Sequence, residues 1–234
     1  MSFLSVDNIY VYYEDALILN DVCLKVEKGE IVCLLGRNGM GKTTLLRSIV
    51  GLTPPREGSI SLEGTRISGR PPYSIAKYGI GYVPQGREIF PELTVEENLK
   101  TGTFIKPGRK LEINALVFEY FPFLKNRLKE KGGSLSGGQQ QMWAIARAMS
   151  GGPQLMILDE PTEGIQPNIV QEIFDIVHDL NTKTALTILL VEQNIDFALK
   201  LSSRGYILEK GQIVSKGKVD ELKEDFIVKN YLMI

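Results

Sequence analysis

Apolar and polar positions alternate along the first part of the chain in a way that predicts strands. Residues 5–13 (SVDNIYVYY), 21–26 (DVCLKV) and 30–36 (EIVCLLG) are three such runs, with Lys28-Gly29 supplying a turn before the third. Residues 58–67 (GSISLEGTRI) form another alternating pair around Glu63-Gly64. The period then changes. Residues 94–99 (TVEENL) carry the S/T-x-x-E capping box as Thr94 and Glu97, which opens a helix. The stretch to about Ala148 reads as largely helical, interrupted by Gly132, Gly133, Gly137 and Gly138. Beyond it, 155–159 (LMILD) and 186–192 (LTILLVE) are short continuous apolar runs with a helical pattern between them, as expected of buried parallel strands in an α/β layer. Residues 206–217 (YILEKGQIVSKG) predict a hairpin turning at Lys210-Gly211.

Composition narrows the class. A chain of 234 residues can bury a sizeable core, as one domain or as a domain with a satellite lobe. Its formal net charge of −1 implies no bulk attraction to nucleic acid or anionic lipid. The longest apolar run, Leu186 to Val191, is far short of the roughly 20 residues that a membrane helix needs. The start, MSFLSVDN, lacks the basic-then-apolar pattern of a secretory signal, so the expectation is a cytosolic chain that reaches a membrane only through a partner. Cys23 and Cys33 are expected to be small buried apolar side chains, and metal or redox chemistry on them is not expected. The only histidine, His178, falls on a helical wheel with Gln171, Asp175 and Asp179. It lies opposite Ile169, Ile173, Ile176 and Leu180, which points to solvent rather than catalysis.

Three segments carry chemistry. Residues 36–43 (GRNGMGKT) form a complete G-x-x-x-x-G-K-[ST] phosphate loop between an apolar strand and a helix, the context the motif requires. Gly36, Gly39 and Gly41 let backbone N–H groups close around phosphates. Arg37, Asn38 and Met40 fill the variable positions, Lys42 supplies a point charge, and Thr43 offers a hydroxyl to Mg2+ ahead of Thr44. LMILDE ends an apolar strand in two acids: Asp159 can hold the Mg2+ shell, and Glu160 can polarise an attacking water. Leu135-Ser136-Gly137-Gly138-Gln139 opens a second helix, with Ser136 as N-cap and exposed amides after it. A second anion site is redundant for one chain holding one nucleotide, and makes sense if it faces the nucleotide of another chain.

Phosphate loop, LSGGQ and LMILDE in this order resemble the ATP-binding-cassette (ABC) ATPases, over essentially the whole chain. The resemblance implies an α/β fold: a phosphate-loop NTPase core with an antiparallel β subdomain and a helical subdomain. On that template residues 1–234 are one ABC ATPase domain. About 1–93 and 151–234 make the β subdomain and RecA-like core, and about 94–150 the helical subdomain with the signature. ATP and Mg2+ are the implied cofactors. Gln85 in YVPQG is the implied Q-loop glutamine, sensing Mg2+ and water, and Tyr13 the implied adenine-stacking aromatic, with Tyr12 competing for that role. The signature would act in trans. Two positions depart from the family pattern: Gln166 stands where an Asp is usual, and Gln193 in VEQN where the switch histidine is usual. A glutamine amide can donate a hydrogen bond to a γ-phosphate but cannot titrate.

GREIFPELTVEENL (86–99), DEPTEGIQP (159–167) and LLVEQN (189–194) look most like the subfamily serving uptake of branched-chain amino acids and of urea or short amides. PQGREIFP and EGIQP lean towards the urea or amide branch. The implied partners are a second ABC ATPase subunit, the same chain or a paralogue, and two transmembrane permease subunits at the cytoplasmic face of the membrane. A periplasmic or extracellular solute-binding protein is linked indirectly, and nucleic acid is not implied. One alternative is an ABC ATPase in DNA repair or ribosome work, which would be expected to add zinc modules, long coiled coils or a second cassette. Another is a regulator that binds nucleotide without hydrolysing it, which the glutamate at 160 argues against.

Overall fold

The computed structural model describes residues 2–105 and 112–224, so expectations for 106–111 and 225–234 lie outside the described residues. The alternating runs build the first sheet. β1 (Leu4–Tyr13) and β2 (Ala16–Val26) pair antiparallel, and β2 shows the two-residue period: Leu19, Val22, Leu24 and Val26 are buried while Asp21, Cys23 and Lys25 face out. Cys23 is therefore exposed, against expectation, because it sits on the outward phase of an edge strand; Cys33 is buried as expected. β3 (Ile31–Leu35) leaves this sheet for a second one, and β4 (Glu57–Leu62) and β5 (Thr65–Arg66) return to the first, giving the order β2-β1-β4-β5.

The second sheet has the order β10-β9-β3-β8-β7-β6, made with β6 (Ile80–Val83), β7 (Leu155–Asp159), β8 (Thr187–Glu192), β9 (Arg204–Glu209) and β10 (Gln212–Lys218). Its strands are parallel except β10, which turns back from β9 at Lys210-Gly211 as the sequence predicts. Both faces of this sheet are covered. Ile31, Cys33 and Leu35 of β3, with Ile188 and Leu190 of β8, join a core shared with the helices. Val32, Leu34, Leu189 and Val191 join the core shared with the first sheet. Double coverage is why β3, β7 and β8 read as unbroken apolar runs.

The helices are α1 (Lys42–Ile49), α2 (Pro72–Ala76), α3 (Val95–Thr101), α4 (Leu116–Tyr120), α5 (Pro122–Lys125), α6 (Gly137–Ser150), α7 (Pro167–Thr184), α8 (Ile195–Leu201) and α9 (Val219–Glu224). The Thr94–Glu97 capping box is formed reciprocally at the start of α3: the Glu97 amide donates to the Thr94 hydroxyl at 3.2 Å, and the Thr94 amide to the Glu97 carboxylate at 2.8 Å. The described part of 94–150 is less continuously helical than expected. Pro122 separates α4 from α5, and 126–136 holds no α-helix. Gly137 and Gly138 do not interrupt a helix but begin α6. On α7, Ile173, Val177 and Leu180 are buried, whereas His178 is exposed and stacks on Phe174, as the helical wheel indicates. Among the described residues no helix is long and apolar enough to cross a membrane.

Trp143, the chain's single tryptophan, is buried in α6 and faces Gly132, whose absent side chain makes room for the indole: a Cβ there would lie 2.6 Å from the ring. Trp143→Ala should cost about 3–5 kcal/mol through the cavity it leaves. Urea unfolding followed by circular dichroism checks this, and a loss under about 1 kcal/mol would contradict the packing described.

Candidate nucleotide and catalytic site

The carboxyl ends of β3, β7 and β8 lie side by side, in register through Leu35↔Glu192 and Asp159↔Val191. From β3 the chain enters the phosphate loop. Gly36 passes so close to β9 that a Cβ would come within 2.5 Å of the Leu208 carbonyl oxygen, and Gly41 turns into α1 with φ +102°. Only glycine satisfies both. Lys42, 4% exposed, folds back over the loop, its Nζ donating to the carbonyls of Gly36 (2.7 Å) and Arg37 (3.1 Å). Met40 anchors the far side, its carbonyl accepting from the Gly211 amide at 3.0 Å. A cavity of roughly 310 Å3 opens here, lined among others by Asn38, Gly39, Lys42, Thr43, Thr44 and Gln85.

Glu160, just beyond β7, is held in the left-handed region at φ +50°, its amide donating to the Val191 carbonyl at 2.8 Å. Its carboxylate is where the sequence-selected residues meet. One oxygen lies 2.9 Å from Lys42 Nζ; the other accepts from Gln85 Nε2 at 3.1 Å and from Gln193 Nε2 at 2.9 Å. Gln193 Nε2 also donates to Asn38 Oδ1 at 2.6 Å, joining the loop after β8 to the phosphate loop. Gln85 Nε2 additionally donates to Glu163 at 2.9 Å. A phosphate entering the loop would compete with Glu160 for Lys42.

Asp159 is fully buried, with Oδ1 3.5 Å from the Thr43 hydroxyl and Oδ2 accepting from the Tyr82 hydroxyl at 3.3 Å. Burial pushes its carboxyl up to about 6; the adjacent Glu160 charge adds to this, while Thr43, Tyr82 and Lys42 oppose it. A cation at this spot would relieve that cost. A hydroxyl and one carboxylate beside a phosphate loop suit Mg2+, which takes few protein ligands and completes its shell with phosphate oxygens and water. From Gln85 a cation would take the carbonyl oxygen, the other end of the amide that meets Glu160.

Tyr13 and Tyr12 point to different neighbours. The Tyr13 side chain, 42% exposed, reaches Thr53, Thr44 and Arg47; burial raises its phenol pKa, but these hydrogen bonds and the arginine bring it net below the ordinary value. Tyr12 instead lies under the Arg56 guanidinium, 4.4 Å from its ring centre. The signature residues line another face. Ser136 and Gln139 form a second reciprocal capping box (3.4 and 3.1 Å) at the start of α6, and Leu135 is buried behind it. A Cβ at Gly137 would meet the Arg87 guanidinium at 2.9 Å, and one at Gly138 would meet Ile169 at 3.0 Å, so both glycines allow close approach. None of Leu135 to Gln139 lines the phosphate-loop cavity.

The sequence profile described as ABC transporter matches residues 19–163. The high-affinity branched-chain amino acid transport ATP-binding protein BraG of Pseudomonas aeruginosa is 45% identical over 90% of this chain and 91% of its own length. The chain belongs to the ABC transporter family. The probable branched-chain amino acid transport ATP-binding protein LivF of Archaeoglobus fulgidus shares 41% identity over 91% of this chain and 90% of its own. The lipopolysaccharide export system ATP-binding protein LptB of Haemophilus influenzae shares 36% over 98% and 96%. Among solved structures, a nucleotide-free ATP-binding cassette from an ABC transporter superposes with TM-score 0.86 at 29% identity, covering 100% of this chain and 99% of that one. A dimeric cassette bound to ADP and Pi gives 0.82 at 25% identity, with 92% and 98% coverage. This ABC ATPase is thus an ATP-hydrolysing transporter subunit of the expected α/β fold.

Sequence reasoning passed over Tyr82, Glu163 and Glu192. Glu192 left a signal, a charged residue ending the otherwise apolar run TILLV. Tyr82 left none, because its partner Asp159 is brought to it only by the β6–β7 pairing. In a 13C-observed titration of the chain without added nucleotide, the Asp159 carboxyl should show a midpoint near 6, and Tyr82→Phe, which removes a donor, should move it higher. A wild-type midpoint near the ordinary value of about 4 would contradict the burial described.

Proposed function

We propose that this cassette powers uptake of branched-chain amino acids by hydrolysing ATP·Mg2+ between two ATPase subunits. The observation that carries the hydrolytic part of this reading is the convergence of Lys42, Gln85 and Gln193 on the Glu160 carboxylate at the mouth of the phosphate loop. Lys42 and the loop amides, with those of Arg37 and Met40, bind the β- and γ-phosphates; Thr43, Asp159 and Gln85 hold Mg2+, which neutralises phosphate charge. Tyr13 takes the adenine. Glu160 accepts a proton from water as its oxygen bonds to the γ-phosphorus and the β–γ bridging oxygen leaves on ADP. Gln193 donates to the γ-phosphate. The signature, Ser136 with the amides of Gly137 and Gly138, meets the γ-phosphate of the second subunit's nucleotide. Its separation from the phosphate-loop cavity of its own chain supports that arrangement.

The sequence division into a β subdomain with RecA-like core and a helical subdomain at about 94–150 is retained in this proposal, with the helical lobe facing the permease. A groove beneath that lobe, lined by Pro84, Ile89, Phe90, Thr101 and Arg147, suits a permease helix, and Phe90 is 48% exposed beside it. Arg87, from the same segment, turns onto Gly137. Two permease subunits, a second ATPase and an indirectly coupled solute-binding protein complete the transporter, at the cytoplasmic face of the membrane. The names of the relatives at 45% and 41% identity favour branched-chain amino acids over the urea or short amides towards which the sequence leaned.

Glu160→Gln should keep ATP binding but lower turnover by about 10²-fold or more, because the proton acceptor is gone. His178→Ala should leave turnover unchanged. Near-normal hydrolysis by Glu160→Gln would remove the glutamate from the mechanism. For the solute, deletion of the gene should abolish uptake of radiolabelled leucine, isoleucine and valine and restore it on complementation. Loss of urea uptake with leucine uptake intact would reverse the choice.

A further inference from the structure

Glu192 closes β8 and is 2% exposed, yet it carries a carboxylate. One oxygen accepts from the Thr162 amide (3.0 Å) and the Thr162 hydroxyl (2.7 Å); the other accepts from the amides of Gln193 (3.1 Å) and Asn194 (3.2 Å). Thr162 belongs to the loop that presents Glu160. Gln193 and Asn194 belong to the next strand's loop, and the Asn194 side chain caps α8 by accepting from the Phe197 amide at 3.1 Å. The carboxylate therefore ties the roots of two neighbouring loops. Above the tie, the Gln193 amide reaches Glu160 at 2.9 Å.

We infer that Glu192 is a positioning residue for ATP hydrolysis, fixing the Glu160 loop against the Gln193 loop without touching nucleotide itself. This rests on the proposed roles of Glu160 and Gln193. The requirement is for a group that only accepts: a carboxylate can take several hydrogen bonds on two oxygens, whereas a carboxamide must place its NH2 against donors on one loop or the other. Burial raises the Glu192 pKa and the hydrogen bonds from both loops oppose it, so the donors that define the geometry also favour the acceptor form. Glu160, a non-glycine residue in the left-handed region, needs such external support to hold its backbone.

The test compares wild type, Glu192→Gln, Thr162→Val, Gln193→Ala, the Glu192→Gln/Gln193→Ala double variant and Glu160→Gln in the full chain. ATP affinity is read by calorimetry, and kcat and KM under conditions where wild type hydrolyses ATP. Glu192→Gln should lower kcat by about tenfold or more through misplacement of the reacting groups, with ATP affinity within about threefold of wild type. The double variant should fall less than the product of the two single effects, because one change acts through the other. Wild-type kcat in Glu192→Gln, a parallel loss of ATP affinity, or full multiplicativity in the double variant would each overturn the inference. Should circular dichroism show Glu192→Gln unfolded, Thr162→Val decides: a kcat reduced by about threefold or more at unchanged affinity supports the tie, and an unchanged kcat overturns it. Near-normal hydrolysis by Glu160→Gln would instead sink the underlying assignment of the base. Loss in Glu160→Gln with none in the Glu192 and Thr162 variants would sink only the tie.

Discussion

Everything at this site depends on the parallel register of β3, β8 and β7. Parallel strands put their carboxyl ends on one edge, about 4.8 Å apart, so three loops distant in sequence start as immediate neighbours. The order places β9 on one side of β3 and β8 on the other, and such a point in an open α/β sheet leaves a crevice for ligand. The phosphate loop, the acidic pair and Gln193 need no long reach because the sheet has already brought their anchors together. The same register explains why Glu192 can span from its own loop to Thr162.

Concentrating anchors also concentrates charge. Lys42, Asp159, Glu160 and Glu192 are all buried at this edge. Buried ions are tolerated only when paired or hydrogen-bonded, and each here is handled differently. Lys42 and Glu160 face each other, Glu192 is surrounded by donors, and Asp159 meets the cost through a raised pKa. A nucleotide phosphate with its cation would let these groups exchange partners: Lys42 from carboxylate to phosphate, Glu160 from lysine to water, and Asp159 from neighbouring hydroxyls to metal. The charges need not be desolvated again on binding, since the fold has already done so.

What the sequence made legible follows this division between local and non-local causes. The phosphate loop and the signature are readable because their chemistry belongs to consecutive backbone amides and a capping side chain. The sequence also marked Ser136, though not the reciprocal part played by Gln139. Continuous apolar runs announced β7 and β8, since double coverage leaves a compositional trace. The misses have non-local causes. Cys23 is exposed because of the phase of β2 at a sheet edge, and α4 and α5, divided at Pro122, bury Val117, Phe121 and Leu124 in a core shared with α6. The Arg87 side chain packs against the start of the signature helix, where Gly137 leaves space for its guanidinium, a relation between residues 50 positions apart in sequence.

Glutamine at 193 narrows how the site can respond to pH. A histidine there could gain or lose a proton near neutrality and change its charge against the γ-phosphate; an amide keeps the same donor at every physiological pH. The only histidine of the chain is exposed on α7, stacked on Phe174 and separate from the Glu160 contacts. Within the described site, burial pushes the Asp159 carboxyl up to about 6 and raises the Glu192 carboxyl as well. On the proposed roles, protonation of Asp159 and binding of a cation there exclude one another, so acidification would weaken metal and nucleotide loading. On the same proposal the side-chain amide of Gln193 keeps its donor across this range, so the pH response of the site comes from its buried carboxylates rather than from the switch position.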